Sequence, residues 1–168
     1  MVNMDIKRFL KHFWQGGLAV KHCLSKSAFD NIEQAIKQGE QHHAGQICFA
    51  VEASLDSRDL WANKTARQRA IEVFSQLRIW DTEQNNGVLI YLLLADRDLE
   101  IVADRGVDNK LGKQTWEAIC HDMETSFRLG EFEQGIVEGI HRVSQHLAAH
   151  YPNADEKMNE LPDKPMVI

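Results

Sequence analysis

Proline and cysteine are scarce in this chain, three of each in 168 residues, and each scarcity excludes something. The prolines, Pro152, Pro162 and Pro165, sit at the far end, so no proline-rich linker or recognition segment interrupts the first 151 residues. Cys23, Cys48 and Cys120 are odd in number and lack C-x-x-C spacing, which rules out a disulfide framework or zinc ribbon. They read as reduced thiols of a cytoplasmic protein. No segment reaches the roughly 18 apolar residues of a transmembrane span, and MVNMDIKRFLKHFW lacks the apolar core and cleavage site of a secretory signal. Basic charge is also short. Nineteen Lys and Arg against 25 Asp and Glu leave a net charge of -6, which argues against a nucleic-acid surface.

What is present suits one globular domain of ordinary size, with 43% hydrophobic and 26% charged residues. The charge is unevenly spread. Residues 1–26 carry Lys7, Arg8, Lys11, Lys21 and Lys26 against Asp5, a surplus of +4 that leaves -10 on the remainder. Within this head Ile6, Phe9, Leu10, Phe13 and Trp14 recur at helical spacing, and Gly16-Gly17 can end the helix. Such a basic amphipathic arm packs on its parent domain by default. The alternative is that it docks, through Phe9, Phe13 and Trp14, on a protein partner or a membrane surface.

From residue 27 to 151 the pattern alternates between helix and strand. Ser27 with Asp30 predicts a capping box and a helix carrying Phe29, Ile32, Ala35, Ile36 and Gly39 to about Gly45. Gln46 to Ala53 alternates as a strand, and Thr65 to Trp80 has the period of a crossover helix. Val88 to Ala95 is a continuous apolar strand. Only Asp96-Arg97-Asp98 separates it from Leu99 to Asp104, so a hairpin joins the two. Two more helices follow, through Trp116, Ile119, Met123 and Phe127, then Phe132, Ile136, Ile140, Val143 and Leu147. Residues 152–168 look like a polar tail. The expected fold is α/β, a three-layer α/β/α sandwich with a small mixed sheet made of one parallel crossover and one antiparallel hairpin.

Familiar catalytic templates do not fit. A calcium loop starting at Asp81 would need Gly at Asn86 and Glu at Leu92, so Asp81 to Gly87 reads as a helix exit and turn. LLLADRDLE resembles the nucleophile strand of haloacid-dehalogenase phosphatases, but Glu100 stands where Thr or Val belongs and the chain returns at once as a strand. There is no Walker loop and no G-x-S-x-G, and Cys120 lacks the nearby Arg of a cysteine phosphatase. His146 and His150 have zinc-compatible spacing but no third ligand in sequence.

Several local features, taken in order, resemble the TPM domain family, named for a thylakoid lumen protein, a photosystem II repair protein and a worm receptor modulator. They are Trp80 before Asn85-Asn86-Gly87-Val88-Leu89, then Asp96-Arg97, Asp104-Arg105-Gly106-Val107 before Leu111, and Gly130-Glu131-Phe132-Glu133-Gln134-Gly135 with Gly139-Ile140. The likeness covers about residues 27–150. It implies an α/β/α sandwich, with acid-phosphatase activity or divalent-cation binding in some members. The chain is most similar to a short, soluble bacterial branch whose chemistry the resemblance does not supply.

The inferred topology then defines two ends of the sheet, roughly 26 Å apart for eight strand residues. Asn86 and Asp104 share one end. Glu52, Asp56, Asp96 and Asp98 share the other, the carboxyl edge where open α/β sheets usually hold ligands. Ordinary acidic turns are the default reading of these four acids; the alternative is that, with only Arg97 and Arg58 as counter-charges, they bind Ca²⁺ or Mg²⁺, the Asn86–Asp104 end being second choice. If hydrolysis of a phosphoester occurs, the cation activates water and Arg97 contacts the phosphate. The leading expectation is a binding or assembly module without established chemistry, with metal-assisted phosphoester hydrolysis as the alternative.

Overall fold

A computed structural model of the chain describes residues 6–14, 16, 18–153 and 158–168. Helices α1 (Ile6–Trp14), α2 (Leu18–Cys23) and α3 (Lys26–Glu40) precede strand β1 (Gln46–Glu52). Helices α4 (Ser57–Trp61) and α5 (Ala66–Gln76) lead to β2 (Gly87–Leu93) and β3 (Asp98–Ala103). Then come α6 (Arg105–Leu111), α7 (Lys113–Arg128), α8 (Phe132–His150) and a short β4 (Met166–Val167).

The sheet order is β3-β2-β1-β4. β1 and β2 are parallel from Gln46 opposite Gly87 to Glu52 opposite Leu93, and β3 returns antiparallel with Val88 opposite Ala103. Every residue of β1 and β2 is buried, because helices cover both faces. On one face Phe49, Val51, Ile90 and Leu92 meet Ile32 and Ile36 of α3, Ile119 and Phe127 of α7, and Ile136 and Ile140 of α8. On the other, Ala50, Leu89, Tyr91 and Leu93 meet Ala70, Val73 and Phe74 of α5. The expected three-layer mixed sandwich is the fold observed.

Local boundaries differ from the sequence pattern where side-chain caps decide them. The cap of α3 is Ser25, not Ser27: its hydroxyl accepts from the Ala28 N–H at 3.1 Å, and the helix ends at Glu40 rather than near Gly45. Thr65 and Gln68 form a reciprocal capping box on α5. The short helices α4 and α6 were not evident in the periodicity. The last residues are more than a tail. β4 pairs parallel to β1 through Ala50 opposite Met166, Leu161 is buried, and Gln46 Oε1 accepts from the N–H groups of Glu160 and Leu161 at 2.9 and 3.0 Å. A two-residue strand has no detectable alternation, so composition alone reads as tail.

The Asn85-Asn86-Gly87 turn works differently from a simple positive-φ turn. Asn85 takes the left-handed conformation, with φ 51. Gly87 is needed for a close approach instead: a Cβ there would lie 2.1 Å from the Ile79 carbonyl oxygen. Backbone cannot move aside as a side-chain tip can, so Gly87→Ala is expected to destabilise the fold by about 2–3 kcal/mol, read as a lower urea midpoint with an unchanged m value. A loss below about 0.5 kcal/mol would show that the turn yields without cost.

Candidate functional site

At the carboxyl edge of β1 and β2 the four acids named from the sequence separate into different environments. Glu52 is buried and held by Arg69 of α5, whose Nε donates to Oε2 at 2.8 Å and Nη2 to Oε1 at 3.1 Å. The Tyr91 hydroxyl donates to the same Oε2 at 2.6 Å. The hydrogen bond to Glu52 raises the Arg69 pKa, and burial first, then Glu52, raises that of Tyr91. Asp56 caps α4: its Oδ1 accepts from the Asp59 N–H at 2.8 Å, which holds its carboxyl below the usual range.

Asp96 is gripped by the N-terminal helix. Arg8 of α1 donates to Oδ2 from Nε at 3.0 Å and from Nη2 at 2.8 Å, and Nη2 also reaches the Lys64 carbonyl at 2.8 Å. His12 is 3% exposed, with its Nε2 3.0 Å from Asp96 Oδ1 and its Nδ1 accepting from the Leu55 N–H at 2.9 Å. That backbone donor requires a bare Nδ1, so the neutral imidazole carries its proton on Nε2 and donates it to Asp96. Burial alone would raise the Asp96 pKa, but the hydrogen bonds from Arg8 and His12 outweigh it and bring it below the usual value.

Of the counter-charges expected for this edge, Arg58 acts on Asp56. The stronger contacts come from Arg69 on Glu52 and from Arg8, with the neutral His12 as a further donor, on Asp96, all distant in sequence from the acids they hold. Arg97 occupies an exposed hairpin turn at φ 54. Among the described residues, no three His, Cys, Asp or Glu side chains form a group that could hold a metal ion. The sequence did contain one signal: Arg8 and His12 are four apart, on the helix face opposite Ile6 and Leu10.

Asp98 faces a different environment, a groove of about 570 Å³ between β3 and α7 that also holds Glu100, Glu124 and Cys120. Burial, reinforced by Glu100, Glu124 and Asp96, pushes its pKa up to about 6. Burial likewise pushes the Cys120 thiol up to about 12, the opposite of an activated nucleophile.

The opposite end of the sheet keeps unsatisfied oxygens. Asn86 is 1% exposed; its Nδ2 donates to the Ala44 carbonyl at 2.8 Å, which fixes the amide orientation and leaves Oδ1 buried without a partner. Asp104 caps α6 with Oδ1 on the Arg105 N–H at 2.6 Å, while Oδ2 is buried and unpartnered. The two segments touch: a Cβ on Gly106 would fall 2.5 Å from the Asn85 carbonyl oxygen, and Asp104 N–H bonds the Gly87 carbonyl at 2.8 Å. Asp104 also lines a cleft of about 680 Å³ with Trp80, Asn85 and Arg105.

The arm residues divide. Phe9 packs against the α5-side core, whereas Phe13 and Trp14 are 78% and 82% exposed, with Ile6 and Leu10 also outside. The helix thus turns its polar Arg8–His12 side inward and its apolar side outward.

A mixed four-stranded sheet between helical layers, whose central strands carry their charged groups at the strand ends, defines this as a small α/β/α sandwich domain. The sequence model of the TPM domain matches residues 20–146, and the chain belongs to that family. Among solved structures it is similar to the BA42 protein of the psychrophilic bacterium Bizionia argentinensis, at 27% identity over 86% of this chain and 95% of that one, with TM-score 0.77. It is also similar in fold to the N-terminal domain of a P. gingivalis protein, at 20% identity over 79% and 83% of the two chains, with TM-score 0.64. No curated protein matches it. No helix among the described residues is long and apolar enough to cross a membrane.

The raised Asp98 pKa has a definite sign in stability. A carboxyl at about 6 when folded and about 3.9 when unfolded binds its proton more tightly in the native state. Its ionisation therefore disfavours folding, by an amount absent below about pH 4 and complete above about pH 6. After allowance for solvent screening, Asp98→Asn is expected to stabilise the protein by about 1 kcal/mol at pH 7.5 and to be near neutral at pH 4. Urea denaturation at the two pH values measures this; equal effects at both would mean that Asp98 titrates normally.

Proposed function

We propose that this TPM domain is a docking module that fastens its α/β/α body to a larger surface through α1. One observation carries the reading: α1 is attached by its polar face and presents its apolar face to solvent. A helix on the surface of a globular protein ordinarily does the reverse. Three hydrogen bonds to one half-buried carboxylate set the roll of the helix, so Ile6, Leu10, Phe13 and Trp14 are offered in a defined direction. We read the setting as cytoplasmic, which the three free thiols support. In extracts of its native cells, the chain is expected in a species larger than its own 19.2 kDa, and Leu10→Ser/Trp14→Ser as the free monomer. Wild type and variant both eluting as free monomers would exclude a stable protein partner and leave a membrane as the surface on which α1 docks.

A second reading rests on the unpartnered oxygens of Asn86 and Asp104. Carboxylate and amide oxygens are the donors that Ca²⁺ and Mg²⁺ take, whereas Glu52, Asp56 and Asp96 at the carboxyl edge are already engaged by cationic or backbone donors and Asp98 lies apart from them in the groove beside α7. The Asn86–Asp104 end is therefore the better supported cation site. A cation there would supply Lewis-acid activation of water, the chemistry a phosphatase needs, but Arg97 lies at the other end of β2 and β3 and gives that activity little support. Titration with Ca²⁺ and with Mg²⁺ followed by amide NMR is expected to shift Asn86, Gly87 and Arg105 saturably, and Asp104→Asn to abolish the shifts. A buried water satisfies the same oxygens without any titration. The absence of a saturable shift up to about 10 mM, beyond the roughly 1 mM affinities of weak calcium modules, would leave water as the answer.

A further inference from the structure

We propose that the surface α1 docks on is an anionic lipid bilayer, an inference that rests on the docking reading and adds the chemistry of the partner. Successive helical residues are 100° apart, which places Phe13, Ile6, Leu10 and Trp14 within an arc of about 100°. Lys7 and Lys11 follow directly on the Trp14 side, and both are exposed. An apolar arc bordered by an aromatic residue and then by lysines is the arrangement of a helix lying in the plane of a membrane interface. Rings sit there at headgroup level and ammonium groups meet lipid phosphates.

Geometry favours a flat surface over a protein groove or a second copy of the chain. The inner side of α1 is occupied by the domain through Arg8, His12 and Phe9, so the two walls of a helix-binding groove have no room to close around it. Four side chains on a nine-residue helix offer a few hundred Å², against roughly 800 Å² per partner in a standard protein interface. Two copies pairing through this arc would also bring their lysines together. A bilayer requires neither enclosure nor a minimum complementary area.

Charge distribution agrees. The first 26 residues carry a surplus of +4 and the remainder -10. A helix about 10–12 Å in diameter separates the acidic body from the bilayer plane. That is about one Debye length at 0.1 M salt, enough to screen much of the repulsion while the lysines stay in contact.

Flotation of the purified full chain with unilamellar vesicles tests this. Binding is expected to vesicles of phosphatidylcholine with 30% phosphatidylglycerol, about tenfold weaker binding to phosphatidylcholine alone, and weakening as salt rises. Leu10→Ser/Trp14→Ser is expected to reduce binding more than tenfold, and Lys11→Glu about tenfold on the anionic vesicles only. These positions are exposed, and circular dichroism verifies the fold; Phe13→Asp replaces the double variant should that one unfold. Failure of the wild-type chain to float, or flotation that the stripe variants leave unchanged, overturns the bilayer proposal. If the wild type does not float yet still elutes from cell extracts in a larger species that the stripe variant abolishes, docking stands with a protein as its partner. If both effects are missing, docking itself falls.

Discussion

Strands β1 and β2 bury every residue along their length, and the other features of the molecule follow from that constraint. Two central strands with no solvent-facing side must have helices on both faces, so α3, α7 and α8 cover one and α5 the other. Polar side chains are then driven to the two ends of the strands. There each carboxylate meets the cost of partial desolvation and needs a donor close by.

At the carboxyl edge that need organises the rest of the chain. Glu52, at the last residue of β1, draws Arg69 from the crossover helix and the Tyr91 hydroxyl from the neighbouring strand. Asp96, just past β2, draws Arg8 and His12 from the N-terminal helix. Removing one member of such a buried pair usually costs far more than the pair itself contributes, because the other charge is left stranded. The acids in this region thus act first as anchors. The anchoring of α1 has a second consequence, since the polar side of the helix is consumed in holding it and the apolar side must face out.

The opposite end is organised by backbone. The Ile79 carbonyl approaches Gly87, the Asn85 carbonyl approaches Gly106, and the Asp104 N–H bonds the Gly87 carbonyl. This packing explains why the Asn-Asn-Gly and Asp-Arg-Gly segments, separated by one hairpin, belong together. It also leaves Asn86 and Asp104 each with an acceptor oxygen that the protein does not satisfy. The two ends are chemically unlike: at one, Glu52 and Asp96 are matched by cationic donors, while at the other Asn86 and Asp104 keep oxygens that are not satisfied.

Much of this was written in short-range pattern. The apolar run from Val88 to Ala95, the three-residue hairpin at Asp96 and the 3.6-residue periods of α3, α5, α7 and α8 are local properties, and they determined the layers, the mixed sheet and the family likeness. Tertiary structure alone decided which charges meet. Arg8 lies 88 residues from Asp96, and Arg69 lies 17 from Glu52, distances over which no periodicity carries information. For the same reason β4 was invisible, because its pairing with Ala50 depends on where the sheet edge lies and not on the two residues themselves. The sequence could show that α1 is amphipathic. Which of its faces the domain would take was settled by a single half-buried carboxylate, whose demand for donors turned the polar side inward.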